Sequence, residues 1–533
     1  MDQNDTQAEL IKLQKKYNDL KKVYKKLRTA YKKLKEDYEI DKGQIQFLRK
    51  ENEHLKTKYK KNNTKGNKPT EIGQGNFVEE QYSQFLVKNH HRIESSGKIG
   101  QVNPDQSVYL DTNESLIYQG FFIIGPKPET LSKECIQSDI LLEYYPPNCT
   151  IGTNIKSIIP LLCFPNGITA EKALYINDKA RSTFDDHSSY HRSRKYFITT
   201  IRNENICPKN SQIPNSEHEL LYLICIEFDD LVQGSDAKWL VPKCYCLASF
   251  IPAFELHFKL VSSLLMLRKI ACVDISLCEN AREELSNDEK IQLDCYTDCE
   301  ELVPGRTIQL GIEKVDMIRY QCPSDLSAID VSWTCIPLIN SLVLEDFVWL
   351  IFAVAQEKSV VFLSGNLGLV TSCILALHTL LRPLKWPNLI IPLVPHSLLE
   401  MIEAPIPLIA GATYVDPAVR DSLSIVWVLL DEGNINERLQ KNSEITKEVI
   451  VPKNFIGAKA LEDMYGNPSP MNVFSDSQDV IDKSFRIREV FREFWVLILN
   501  GYIKNEKKIV ESEFVKVLAG TQMFTCTLDQ IDQ

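Results

Sequence analysis

From residue 10 to residue 59, apolar side chains recur every seven positions. Leu13, Leu20, Leu27, Leu34, Leu48 and Leu55 share one position of the repeat. Leu10, Tyr17, Tyr24, Tyr31, Tyr38, Ile45 and Tyr59 share the other. A sustained period of 3.5 keeps one seam turned toward a partner helix and imposes a left-handed supercoil, so residues 8–60 are predicted to form a long coiled-coil helix. Asp41 and Asn52 fall on the seam, where a polar side chain costs stability but fixes register. A parallel homodimer is the expected form; a hetero-partner and a lone charged surface helix are the other readings. The run "KKNNTKGNKPTEIGQGN" (60–76) has no apolar period, and residues 61–114 are predicted to be a flexible linker.

Beyond residue 115 the pattern changes. "SLIYQGFFIIGP" (115–126), "DILLEYYPP" (139–147), "KYFITTI" (195–201) and "ELLYLICIEF" (219–228) read as strands. "FELHFKLVSSLLMLRKI" (254–270) has apolar residues at helical spacing, so the first unit is α+β. A second unit alternates strands and helices. Helices are predicted over 345–356, 368–381 and, in short form, 396–403. Strands are predicted over 359–363, 389–394, 407–412 and 424–430. This order implies a mainly parallel sheet covered on both faces. Residues 434–480 are polar and are expected to be an irregular connection before an amphipathic helix at 485–503.

Charge divides the chain. Residues 1–70 hold 18 Lys and 2 Arg against 10 Asp and Glu, a surplus of ten positive charges. The whole chain of 533 residues has a net charge of −10, so the rest carries twenty negative charges. A basic arm on an acidic body argues against a nucleic-acid binder. The lysines that flank the seam read as a solvated face, or as an attraction to anionic membrane. The polar start "MDQNDTQAEL" has no signal-peptide pattern, and a cytoplasmic location is expected. The 15 cysteines are then expected to be reduced core residues. The closest spacings, Cys244/Cys246 and Cys295/Cys299, are not CxxC pairs. Zinc needs four convergent ligands, so no metal site is expected.

The most suggestive stretch is "VVFLSGNLGLVTSC" (360–373), a strand, a glycine-containing turn and a helix. A phosphate-cradling GxxxxGK[ST] loop needs a lysine against the phosphate charge and a hydroxyl for magnesium. Here Gly365 and Gly368 are followed by Leu369 and Val370, with no lysine in the turn. GxGxxG, GxSxG, HExxH and the kinase set are absent as well. The acidic "EFDD" (227–230) reads as a solvated strand end, and His378 and His396 as packing histidines. No catalytic residue, and no cofactor, is expected; binding is the better class of function.

The order of segments resembles the DENN domain family in its upstream, central and downstream parts. The upstream part is carried by "FFIIGP" (121–126), "LLEYYPP" (141–147), "IPLLCFPNGI" (159–168) and "LYLICIEF" (221–228). The central part is carried by residues 243–265, 347–412 and "VWVLLDEGNI" (426–435). The downstream part is "SFRIREVFREFWVLILNGY" (484–502). Residues 115–242, 243–433 and 481–520 would be these three parts. Two stretches depart from the family: 175–220 lacks its usual strand pair, and 271–340 reads as a variable insertion.

The resemblance implies an α/β bilobal DENN module, a longin-like α+β N-lobe and a three-layer α/β sandwich C-lobe, behind the N-terminal coiled coil. It implies a guanine nucleotide exchange factor for a Rab-family small GTPase in vesicle traffic, with the GTPase docked between the lobes. Peripheral association with vesicle or endosomal membranes would follow. The alternative is a DENN-fold scaffold or tether without exchange activity. Partner-binding candidates are the turn Ser364, Gly365, Asn366 and Leu367, and the turn Glu403, Pro405 and Pro407.

Overall fold

The computed structural model describes residues 117–127, 136–147, 151–172, 196–202, 220–233, 238–274, 284–299, 302–312, 317–452, 457–465 and 477–531, with isolated positions between them. The coiled coil and linker expected over 8–114 lie outside the described residues.

The first sheet contains β1 (Gly120–Pro126), β2 (Ser138–Tyr144), β3 (Glu171–Lys172), β4 (Tyr196–Arg202), β5 (Leu220–Gln233) and β6 (Lys238–Ser249). Two short helices, α1 (Thr153–Lys156) and α2 (Ile159–Cys163), lie between β2 and β3. The strand order is β2-β1-β6-β5-β4, with β3 on β6, and all pairings are antiparallel. Both faces are buried. Leu221, Leu223 and Cys225 of β5 join one core, and Tyr222, Ile224, Ile226 and Phe228 join another. A sheet covered on both sides needs apolar residues at every position, which is why "LYLICIEF" shows no polar alternation.

One face is covered by α3 (Phe254–Asp274), with α4 (Asn287–Thr297) and the hairpin β7 (Thr307–Leu310) and β8 (Ile318–Gln321) beside it. The start of α4 is fixed by a capping box in which Ser286 and Glu289 exchange bonds to backbone N–H groups.

The second lobe begins with α5 (Val331–Ser341) and α6 (Leu344–Ala355). There follow β9 (Val360–Leu363), α7 (Leu367–Leu381), β10 (Leu389–Ile391), a 3-10 stretch (His396–Glu403), β11 (Leu408–Ala412), α8 (Pro417–Ser422) and β12 (Val426–Leu429). The strand order is β10-β11-β9-β12, all parallel, and β13 (Leu439–Gln440) adds an antiparallel edge. Val360, Phe362, Val426 and Val428 face the helices α5, α6 and α7. Val361, Leu363, Trp427 and Leu429 face the 3-10 stretch and α8. The three layers are helices, sheet and short helices.

Next come α9 (Ser443–Glu448), α10 (Ala458–Tyr465), α11 (Gln478–Ile503), α12 (Lys507–Val510), α13 (Glu513–Ala519) and α14 (Gln522–Ile531). Phe352 of α6 is the anchor for this part; its ring touches Phe455, Phe494, Trp495 and Phe514. Trp495 is fully buried, and its Nε1 donates to the Leu380 carbonyl at 2.9 Å.

Several expected boundaries shift. Residues 434–480 contain β13, α9 and α10, so the expected irregular connection carries regular structure. The helices run on to Ile531, past the expected end at 520. Strand β6 crosses the expected division at 242/243. Strand β4 matches the strand expected at 195–201, within the stretch 175–220 that departs from the family pattern. Helix α5, inside the expected insertion 271–340, is buried in the main core.

The lobes share that core. Phe122, Phe197, Leu223 and Cys246 of the first sheet belong to the same apolar cluster as Phe352, Val370, Ile374 and Trp495. Helix α7 lies against edge strand β4, where the Thr371 hydroxyl accepts from Ile198 N at 3.3 Å. The Thr200 hydroxyl donates to the Ile390 carbonyl at 3.3 Å. Edge strand β4 is therefore covered rather than open to pairing with another chain.

Candidate functional site

In an open parallel sheet the natural binding crevice lies outside the carboxyl ends of the strands, where successive connections leave on opposite faces. Here β9 continues into α7 on the inner face, and β11 continues into α8 on the outer face. The turn 364–367 sits at this point.

Its geometry settles what the turn can hold. The Ser364 hydroxyl donates to Asp431 Oδ1 at 2.6 Å, and the Gly365 amide donates to Asp431 Oδ2 at 2.7 Å. The Asn366 amide donates to the Ser364 hydroxyl at 2.9 Å. Asn366 then caps α7, its Oδ1 accepting from Leu369 N at 3.2 Å. The donors that a phosphate would need are thus occupied by a carboxylate of the same chain. A phosphate would meet that negative charge, and no lysine stands in the turn to offset it.

Asp431→Ala is expected to lower stability by about 1 kcal/mol, since two hydrogen bonds to a solvent-exposed carboxylate are lost. The check is the urea midpoint at unchanged slope. A midpoint equal to wild type would show that Asp431 does not hold the turn.

The two candidate turns are not brought together. Ser364–Leu367 follows β9 at the carboxyl edge, whereas Glu403, Pro405 and Pro407 precede β11 at the amino edge. The length of β11, about 15 Å, separates them. Ser364 and Leu367 are buried, Asn366 is half-buried and Gly365 is exposed. Glu403 and Pro405 are exposed beside Ile406, and Pro407 is half-buried.

A different set of residues meets at the carboxyl edge. The first lobe sends the loop Phe164–Ile168 across to it. The Pro165 carbonyl accepts from His396 N at 2.8 Å, and Asn166 Oδ1 accepts from the Thr413 hydroxyl at 2.7 Å. Gly167 has φ +77°, a conformation that a side chain would strain. Next to Thr413, Tyr414 is 60% exposed, a large apolar ring turned to solvent. His396 is exposed as well, so it does not pack as the sequence suggested. His378 stays half-buried near Arg382. Asn166, Gly167, His396 and Tyr414 form a rim where the two lobes join. The "CFPNG" run was legible as a motif; its place on this rim depends on contacts some 230 to 250 residues away in sequence.

Behind the rim, α7 sits tightly on β11 because a Cβ at Gly411 would collide with Val370 Cγ1 and the Pro392 carbonyl. The "EFDD" run is an interior part of β5 rather than its end, and Asp230 pairs with Lys243 at 2.9 Å. Among the described residues no helix is long and apolar enough to cross a membrane.

These features define an α/β protein of two main sheets joined through one helical core, with a sealed turn where a nucleotide would sit. Residues 240–432 match the profile of the DENN (AEX-3) domain. DENN domain-containing protein 2D of Mus musculus is 27% identical over 178 residues, covering 32% of this chain and 34% of that protein. A DENN domain-containing protein of Schizosaccharomyces pombe is 30% identical over 142 residues, covering 25% and 14%. DENN domain-containing protein 1C of Mus musculus is 26% identical over 185 residues, covering 32% and 22%. Residues 240–432 thus form a DENN-like segment. The chain's matches span about a third or less of the length of these relatives. The profile begins at 240, inside β6, so the sheet that completes the first lobe starts upstream of the matched segment.

Proposed function

We propose that this protein is a guanine nucleotide exchange factor for a Rab-type small GTPase. The observation that carries the reading is the DENN domain at residues 240–432, because proteins of that family typically act in this way. The sealed turn supports it: the nucleotide belongs to the partner, and this chain has no need to hold one. A Rab retains GDP through its phosphate loop, magnesium and ordered switch segments. A surface that fits the switches in an opened arrangement favours the nucleotide-free form, and by reciprocity GDP weakens that complex. Lowering the release barrier by about 4 kcal/mol gives roughly a thousandfold in rate. Such a surface needs area and shape rather than a catalytic dyad.

The docking face in this reading is the rim of Asn166, Gly167, His396 and Tyr414. An exposed tyrosine beside a lobe junction has the character of an interface anchor. The heptads of residues 10–59 would dimerise the chain, and their lysines would favour an anionic vesicle surface.

The test is release of fluorescent GDP from a panel of Rabs on addition of the full chain. Acceleration of at least one Rab is expected. Tyr414→Ala should slow that acceleration about tenfold with unchanged thermal stability. No acceleration of any Rab overturns exchange. A Rab that binds without releasing GDP would instead mark a tether, the reading that the heptad seam favours. An unaffected Tyr414→Ala variant would move the docking face elsewhere.

A further inference from the structure

We propose that Cys163, Cys225, Cys244 and Cys246 form a thiolate site for a structural zinc ion, seated between α2 and the first sheet. The four come from three segments. Cys225 and Cys246 lie directly opposite one another across β5 and β6. Cys244, two residues earlier on β6, points to the same face, since strand side chains repeat every second residue. Cys163, the last residue of α2, closes the group from above. All four are fully buried.

The distances suit a metal. The sulfurs of Cys163 and Cys225 are 3.7 Å apart, and those of Cys163, Cys225 and Cys246 all lie within 4.8 Å of one another. Zinc–sulfur bonds of about 2.3 Å put tetrahedral sulfurs about 3.8 Å apart. Cys244 shares their face but its sulfur lies outside that 4.8 Å group, so its side chain would turn inward to supply the fourth corner. The spacings in sequence hid this set, because sheet pairing and helix docking make the cluster.

Without a cation the thiols have poor partners. Those of Cys225 and Cys244 reach only backbone carbonyls at 3.6 Å, besides each other and their neighbours. A dication would supply the counter-charge that buried thiolates need. Zinc displaces the four thiol protons to solvent, so binding weakens as pH falls.

The ion would have a structural effect at a distance. Helix α2 has five residues, too few to be stable by itself. Cys163 leads directly into Phe164–Ile168, the loop that crosses to the second lobe. Zinc would clamp that loop to the sheet.

The test uses the full chain. Metal analysis of protein purified without chelators should show stoichiometric zinc. Expression in zinc-depleted, cobalt-supplemented medium should give the visible absorption of tetrahedral cobalt thiolate. Cys163→Ser should weaken metal retention at least about tenfold against a competing chelator. Cys299→Ser, at a half-buried cysteine outside the cluster, should leave it unchanged. A wild-type chain with no zinc and no thiolate-type cobalt absorption overturns the site whether or not the variant folds. A metal-free Cys163–Cys225 disulfide, or equal metal retention in Cys163→Ser, overturns it too.

Discussion

Asp330→Ala is expected to destabilise the protein by about 3–5 kcal/mol, the cost of leaving a buried guanidinium without its carboxylate. Asp330 and Arg382 are both buried. Arg382 Nη1 donates to Oδ1 at 3.1 Å and Nη2 to Oδ2 at 2.9 Å, a bidentate pair. The Thr379 hydroxyl donates to the same Oδ2 at 2.8 Å. Arg382 also donates to the Ser327 carbonyl, and Arg488 of α11 donates to the Ser327 hydroxyl at 2.6 Å. The network joins the start of α5, the end of α7 and the middle of α11. Urea unfolding of Asp330→Ala, Arg382→Ala and the double variant gives the coupling. The double variant should lose much less than the sum of the two. Additive losses, or a single-variant loss below about 1 kcal/mol, would mean that the pair is solvated in solution.

Acidification should destabilise the first lobe through His257. This imidazole is fully buried, and burial lowers its pKa from 6.5 to about 4. Its Nε2–H donates to the Ile251 carbonyl at 2.8 Å, so Nδ1 accepts from the Tyr296 hydroxyl at 2.7 Å. Between about pH 4 and 6.5 the unfolded chain binds a proton that the folded chain refuses, so stability rises with pH there. Conversely, lowering the pH through that window removes about 3 kcal/mol. His257→Gln should be less stable at neutral pH but should have a flatter pH profile. Urea midpoints at pH 7.5 and 4.5 decide it; parallel profiles for the two proteins would contradict a neutral buried His257. Asp325 acts at lower pH. Burial raises its pKa, but hydrogen bonds from Ser327 and the charge of Arg488 bring it below the usual carboxylate range. Its contribution is present above the ordinary aspartate pKa and is lost only as pH falls through the depressed value.

The strongly apolar elements were legible from pattern alone: β9, α7, β11 and α11 stand within a few residues of their expected spans, apart from an earlier start to α11. Strand β6 was not recognised as a strand. Its sequence "KWLVPKCYCLAS" has a proline and two lysines, signs that argue against a central strand. The fold accommodates them with Pro242 opposite Asp229 and Lys243 paired to Asp230. In 434–480, the caps Asn434 and Asn442 read as loop residues, and the elements they start are too short to show a period. The missing lysine of the 364–367 turn was visible in the sequence. The carboxylate that fills it, 66 or 67 residues downstream, was not.

One apolar cluster runs from Phe122 through Val370 to Trp495 and joins the two lobes. Opening a hinge there would expose that surface to water, at about 25 cal/mol for each Å² uncovered. The body is therefore a stiff template rather than a pair of jaws. On the proposed docking face a partner would find a shape already made, and whatever deformation the encounter required would fall on the partner.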